Sequence, residues 1–268
     1  MNIIKKKGSN MDIKAVFLDI DGTWYDHKTN QIFKENIEAV KKLQEKGIKV
    51  ALCSGRPKEM AADLHVFENM NWDGYIGVSG GVVHDENLKI IYRNTYTQEQ
   101  LKEIFKIAEE NNFCLFSFGE YEFMTKPLNE ISQKFIDQYH LKTPEVRTWK
   151  GENLTYISAL GRDLPELQVF RGIEGIRFTA STTYVIDFIK ENVSKAEAID
   201  FLMNYWGIKG CDYIAFGDSI NDIPMMQAAT LGIAMGIAEK ETKDAADLVI
   251  GPADTPAIAQ ALIDLRLI

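Results

Sequence analysis

Asp19 and Asp21 stand two positions apart in Asp19-Ile20-Asp21-Gly22-Thr23, directly after a short apolar run. In an extended backbone, residues at i and i+2 point to the same side, and Gly22 lets the chain turn sharply behind them. Carboxylates held that close repel, and both resist ionising unless a cation lies beside them. A hard divalent ion with oxygen ligands meets that need, and Mg2+ is the common choice beside phosphates. One carboxylate can then attack phosphorus while the other moves protons. Taken singly, the same residues would also make an ordinary Asp-Gly turn.

Three further segments carry chemistry of the same kind. Ser54-Gly55-Arg56-Pro57 offers a hydroxyl and backbone N–H groups at a predicted helix start, a ready anion site. Ser194-Lys195 opens a second amphipathic helix with Ala198, Ile199 and Leu202 inward. A lysine in a first helical turn opposes the helix dipole, so it makes better sense paired with an anion. Gly217-Asp218-Ser219-Ile220-Asn221-Asp222 comes last. If a helix begins near Ser219, then Asp218, Asn221 and Asp222 share one face at i, i+3 and i+4. A helix cap, a solvated lysine or a capping cluster would explain any one of these alone. Together, four strand ends supply an acid pair, a hydroxyl, a lysine and an acid cluster, and ligands of open parallel sheets bind where strands end.

The elements that must position these groups alternate. Ile13 to Leu18, Ile48 to Cys53 and Tyr75 to Val78 read as strands, separated by a helix that carries Ile37, Val40 and Leu43 and stops at Gly47, and by another that Pro57 opens. In the last third, Val185 to Ile189, Tyr213 to Phe216, Leu231 to Met235 and Leu248 to Ile250 are predicted strands. Asp254-Thr255-Pro256 is predicted to cap a final helix bearing Ile258, Ala261, Leu262 and Leu265. This alternation predicts an α/β fold with a Rossmann-like parallel-sheet core. The middle differs: a helix with Leu101, Ile104, Phe105 and Ala108, a hairpin from Phe113 to Thr125, a helix over Asn129 to Tyr139, then strands at Thr155 to Leu160 and Ile176 to Ala180. It predicts an inserted α+β domain over 88–183, with the core formed by 11–87 and 184–268. The hairpin aromatics Phe116, Phe118, Tyr121 and Phe123 are predicted to be core, with Glu120 or Tyr121 candidates for the rim.

Composition narrows the function classes. The chain has 268 residues, 46% of them hydrophobic and 26% charged, with a formal net charge of −9, ordinary for a globular protein. An acidic balance argues against broad nucleic-acid affinity, which needs basic surface. No window approaches the roughly 18 apolar residues of a membrane span, and the first residues lack the apolar stretch of a signal peptide. Residues 1–10 are predicted to be a flexible extension, with Met11 an alternative start. Cys53, Cys114 and Cys211 have no metal-ligand spacing and fit buried thiols in a reducing cytoplasm. His27, His65, His84 and His140 share no spacing that assigns them a catalytic role. No Gly-x-x-x-x-Gly-Lys-Ser/Thr is present, which excludes a P-loop nucleotide enzyme.

Asp-Ile-Asp-Gly-Thr, Ser-Gly-Arg, the downstream Lys195 and Gly-Asp-Ser-Ile-Asn-Asp resemble the four ordered motifs of the haloacid dehalogenase-like hydrolases. The large insert resembles the Cof-type phosphatase branch, and the likeness runs from Asp12 to Leu265. It implies a mobile α/β cap and a Mg2+-dependent phosphatase of small phosphorylated metabolites, such as sugar phosphates. By the same resemblance Asp19 is nucleophile and metal ligand, and Asp21 is general acid/base, giving its backbone carbonyl to the metal. Ser54, the Gly55 amide and Asn221 hold the phosphoryl group, and Lys195 neutralises its charge. Asp218 and Asp222 complete the metal site. Dehalogenases of this superfamily lack the second acid, which this chain has. Ser79-Gly80 replaces the usual Asn-Gly, Ala196 follows Lys195 where glycine is common, and the acidic-Gly sequence expected near Asp254 is absent. A phosphotransferase or phosphomutase would use the same motifs, whereas a non-catalytic metabolite-binding protein would be expected to have lost one of these residues. Oligomeric state and physiological substrate are not encoded legibly.

Overall fold

A computed structural model describes residues 12–139, 141–210 and 212–268; the expectations for residues 1–10, Met11, His140 and Cys211 fall outside them. In chain order the elements begin β1 (Ala15–Leu18), α1 (Lys34–Glu45), β2 (Lys49–Cys53), α2 (Lys58–Ala62), β3 (Gly74–Gly77), β4 (Val82–His84) and β5 (Ile90–Arg93). They continue α3 (Gln98–Glu110), β6 (Cys114–Ser117), β7 (Phe123–Met124), α4 (Glu130–Tyr139), β8 (Glu145–Val146), β9 (Ile157–Leu160), β10 (Ile176–Thr182) and β11 (Val185–Lys190). The last set is α5 (Lys195–Tyr205), β12 (Tyr213–Gly217), α6 (Ile223–Ala228), β13 (Leu231–Ala234), α7 (Lys240–Ala245), β14 (Leu248–Val249) and α8 (Ala257–Asp264).

The chain divides into two compact units, one of residues 1–55, 64–91 and 194–268, the other of 56–63 and 92–193. The first is built on a sheet of order β14-β13-β12-β1-β2-β3-β4-β5. β1 lies at its centre, parallel to β12 on one side and β2 on the other. All its side chains are buried, as expected of a strand covered on both faces. Strand order reverses beside β1, which places a crevice at its carboxyl end. β3 pairs antiparallel with β4, a hairpin not anticipated from the sequence, and β5 finishes this edge.

The final helix is capped differently from expectation. Pro256 precedes α8 without a side-chain cap, and Thr255 Oγ1 turns back to the Pro252 carbonyl. Instead the buried Asn36 of α1 accepts from Ala259 N at 3.0 Å through its side-chain oxygen. One amide thus satisfies a first-turn donor and ties the two helices together.

The second unit carries the sheet β10-β11-β9-β6-β7-β8. Its core joins Leu101 and Ile104 of α3 to Phe123, Ile157, Phe170 and Phe188. The predicted hairpin forms, with Phe116 opposite Met124, and Phe116, Phe118 and Phe123 are buried. The predicted boundary at 183/184 is corrected. β11 pairs antiparallel with both β10 and β9, and this unit runs on to Val193. β11 is buried at Val185, Ile186, Phe188 and Ile189, so its apolar run reads like a parallel core strand. A connection too short for a crossover nevertheless forces it back against β10.

Candidate active site

β1 delivers Asp19 to the carboxyl edge of the first unit's sheet. Asp19 N donates to Phe216 O at 3.0 Å, extending the pairing with β12 by one residue. Trp24 N then returns to Asp19 O at 3.1 Å and Tyr25 N to Ile20 O at 2.8 Å, closing a tight loop. Gly22, with φ +74°, is the residue that permits it, and a Cβ there would fall 2.5 Å from Asp218 Oδ2. The same loop directs Thr23 Oγ1 to donate to Asp218 Oδ1 at 3.1 Å.

Asp218 follows β12. The expected common helical face is realised as a capped 3-10 turn over Ile220–Asp222 that leads into α6. Asp222 Oδ2 accepts from the N–H groups of Asp218 and Ser219, both at 3.0 Å, leaving its other oxygen free to meet Lys195. Ser219 Oγ donates to Asn221 Oδ1 at 2.6 Å, which fixes which end of that amide faces outward.

Lys195 is the first residue of α5, behind Ser194, whose hydroxyl accepts from Glu197 N at 3.2 Å. Its position against the helix dipole is answered by anions, as the sequence suggested. Nζ lies 2.6 Å from Asp19 Oδ1 and also bonds Asp222 Oδ1. The whole side chain is buried.

Ser54 directly follows β2, fully buried, with its N–H on Ile76 O at 2.8 Å. α2 starts only at Lys58, behind Pro57, so Ser54 is not a helix cap. Gly55 comes beside Asn221, whose Nδ2 is 3.6 Å from the position a Gly55 Cβ would take.

The electrostatics follow from burying so much charge. Burial pushes the Asp19 carboxyl well above its usual range, and Asp222 adds to the rise against the pull of Lys195. Asp218 is pushed up to about 7, first by burial and then by Asp222. Burial alone would lower Lys195, but Asp19 and Asp222 outweigh it and hold the ammonium above its usual value. Burial also pushes the neighbouring Cys53 thiol up, against the pull of Lys195, so it stays protonated and inert.

Asp19, Asp218 and Asp222 each place a carboxylate oxygen within 4.8 Å of the others. When ionised, these three carboxylates would exceed the single Lys195 ammonium by two negative charges, and the raised pKa values of Asp19 and Asp218 reflect burial together with that imbalance. An all-oxygen donor set of that kind fits a hard divalent cation. The Asp21 side chain stands outside the trio: its Oδ1 meets His27 Nε2 at 2.6 Å. Sequence spacing gave His27 no role, because only the turn that pairs Asp21 with Tyr25 and Asp26 with Gln31 brings it back.

A family model described as haloacid dehalogenase-like hydrolase matches residues 16–262. The candidate phosphatase YkrA of Bacillus subtilis (strain 168) is 29% identical over 264 residues, covering 96% of this chain and all of that protein. The 5-amino-6-(5-phospho-D-ribitylamino)uracil phosphatase YwtE of the same organism is 26% identical, covering 92% of this chain and 96% of that one. Among solved structures, the HAD subclass IIB sugar phosphatase BT4131 superposes with a TM-score of 0.86 at 27% identity, over 95% of this chain and 100% of that one.

Proposed function

The chain belongs to the haloacid dehalogenase-like hydrolases, and from that premise we propose that it is a magnesium-dependent phosphatase of small phosphomonoesters that works through an aspartyl phosphate on Asp19. The observation that carries this reading is the buried Lys195 ammonium between Asp19 and Asp222, with Asp218 completing the acid trio. An arrangement with surplus negative charge cannot accept a phosphate dianion until a cation is bound, and Asp19, Asp218, Asp222 and the Asp21 carbonyl are the groups to hold one. Mg2+ bound there would offset charge on the phosphoryl oxygens and keep the carboxylates ionised.

In the first step the Asp19 carboxylate attacks phosphorus in line, while Asp21 protonates the departing alkoxide oxygen. Lys195 neutralises the transferring group, and Ser54, the Gly55 amide and Asn221 hold its oxygens. Asp21, now a carboxylate, takes a proton from the water that hydrolyses the acyl phosphate and restores Asp19. The Asp21 side chain, half-buried and set apart from the acid trio, suits a group that must exchange protons with leaving group and water.

The inserted unit is read as the family's cap domain. A leaving group rich in hydroxyls is favoured by the ribitylamino phosphate that names YwtE and by the sugar phosphates that BT4131 is named for. No helix among the described residues is long and apolar enough to cross a membrane, and the buried free thiols Cys53 and Cys114 suit a reducing cytoplasm.

The test is phosphate release from a panel of phosphorylated metabolites, with and without Mg2+. Release requiring Mg2+, and abolished in Asp19→Asn, is expected. Normal rates in Asp19→Asn would refute the nucleophile, and transfer only to an added hydroxyl acceptor would make the protein a phosphotransferase.

A further inference from the structure

The loop after β3 contains a contact that the reaction scheme leaves unused. Val78, Ser79 and Gly80 have φ of +56°, +52° and +105°, three left-handed residues in succession. For a β-branched valine this is a genuine outlier, and for serine it is uncommon. Strain of this kind persists only where surrounding structure holds it, and it gathers at functional sites.

Two contacts hold it here. Ser79 N donates to Ser54 O at 3.0 Å. On the other side Gly80 packs so closely that a Cβ would fall 2.2 Å from Ser194 O. The loop is therefore clamped between the segment carrying Ser54 and the helix start carrying Lys195.

Ser79 as a residue is only 6% exposed. Its hydroxyl bonds no other described residue and is not among the buried unsatisfied groups, so it opens to solvent from an otherwise enclosed residue. Its surroundings say what it faces. A Cβ placed on Gly55 would meet Ser79 Oγ at 3.5 Å and Asn221 Nδ2 at 3.6 Å, ordinary contact distances. Gly55 is not left-handed either. Nothing in the protein itself requires a glycine there. The space over Gly55 is flanked by one hydroxyl and one amide N–H, and glycine keeps it open for a ligand to approach the backbone.

We propose that Ser79 is a substrate-binding residue whose hydroxyl donates to an oxygen of the phosphoryl group, beside Asn221 and the Gly55 amide. This rests on the phosphatase reading for the identity of the ligand. The hydroxyl opens beside Gly55 and Asn221, and the strained loop is the means of aiming it.

The test uses inorganic phosphate as probe, titrated calorimetrically in the presence of Mg2+ into wild type, Ser79→Gly and Ser79→Ala. Both variants should bind phosphate on the order of 10- to 100-fold more weakly, the loss of one hydrogen bond to a charged group. Mg2+ titrated alone should bind all three proteins equally. Ser79→Gly should melt at or above the wild-type temperature, since glycine accepts the left-handed backbone, so its weakened binding cannot be unfolding. Should it melt lower, the alanine variant at wild-type melting temperature decides.

Phosphate bound equally by wild type and a folded variant overturns the proposal. So does a wild type that binds no phosphate. A change confined to the KM of particular esters, with phosphate unaffected, also overturns it, placing the hydroxyl on the leaving group. If phosphate affinity falls as expected but no phosphomonoester is hydrolysed, the contact stands and the phosphatase reading fails.

Discussion

Replacing Lys195 by methionine removes one buried charge while keeping most of the volume. At 2.6 Å from Asp19, a unit charge pair is worth roughly 6 kcal/mol at an effective dielectric of about 20. The contact with Asp222 adds a second such pairing. Burying the ammonium costs several kcal/mol, so the net loss is smaller, about 3–5 kcal/mol as for other broken buried pairs. Urea unfolding of cation-free protein at about pH 7.5 should show that loss as a lower midpoint with little change of slope. The deficit should shrink near pH 5, where the carboxylates left behind take up protons. Mg2+ should recover part of the loss, and turnover should fall on the order of 10²–10³ through loss of a preorganised cation. A Lys195→Met protein within about 1 kcal/mol of wild type at pH 7.5 would refute the claim that this ammonium holds the acids together.

Three further tests address neighbouring features. Asp218 is displaced from 3.8 to about 7, so the folded chain keeps a proton that the unfolded chain releases; the resulting stability is complete below about pH 4 and lost as pH rises through about 7, on the order of 4 kcal/mol at most. Urea titrations of cation-free protein should follow that fall and Mg2+ should offset it at higher pH; a flat or rising profile contradicts it. Gly22→Ala should cost about 1–2 kcal/mol for its left-handed backbone and, by displacing the Asp218 carboxylate, weaken calorimetric Mg2+ affinity by about 10-fold. Asn36→Ala should destabilise by about 1 kcal/mol through the lost cap while leaving phosphate release unchanged, since it lies at the α1–α8 contact.

What the sequence revealed were features governed by nearby residues. The awkward lysine at the start of α5 called for an anion and has two. Gly22 signalled a turn behind the acids, and the strand-ending positions of Asp19, Ser54 and Asp218 followed from apolar runs that stop abruptly. The misreadings share a different origin, partners distant along the chain. Nothing around Asn36 announces that it caps a helix beginning at Ala257. β11 has the burial pattern of a core strand, and only its pairing with β9 and β10 tells which sheet it joins. His27 reaches Asp21 through a small bridged turn that no periodicity reveals. The Ser79 loop has backbone angles that its residue types disfavour, so local preference pointed away from it.

The central place of β1 has a consequence for biosynthesis. Its neighbour β12 leaves the ribosome only after all of the inserted segment has been made, so the growing chain carries an open apolar strand edge meanwhile, a site for chaperone engagement. Residues 92–193, which carry all six strands of the second sheet, are made during that wait. Arrival of β12 then seals the edge and brings Asp218 and Asp222 to Asp19 in one event. A chain that stops short of β12 therefore cannot assemble the acid cluster around Lys195, whereas β13 and β14 extend the sheet only afterwards.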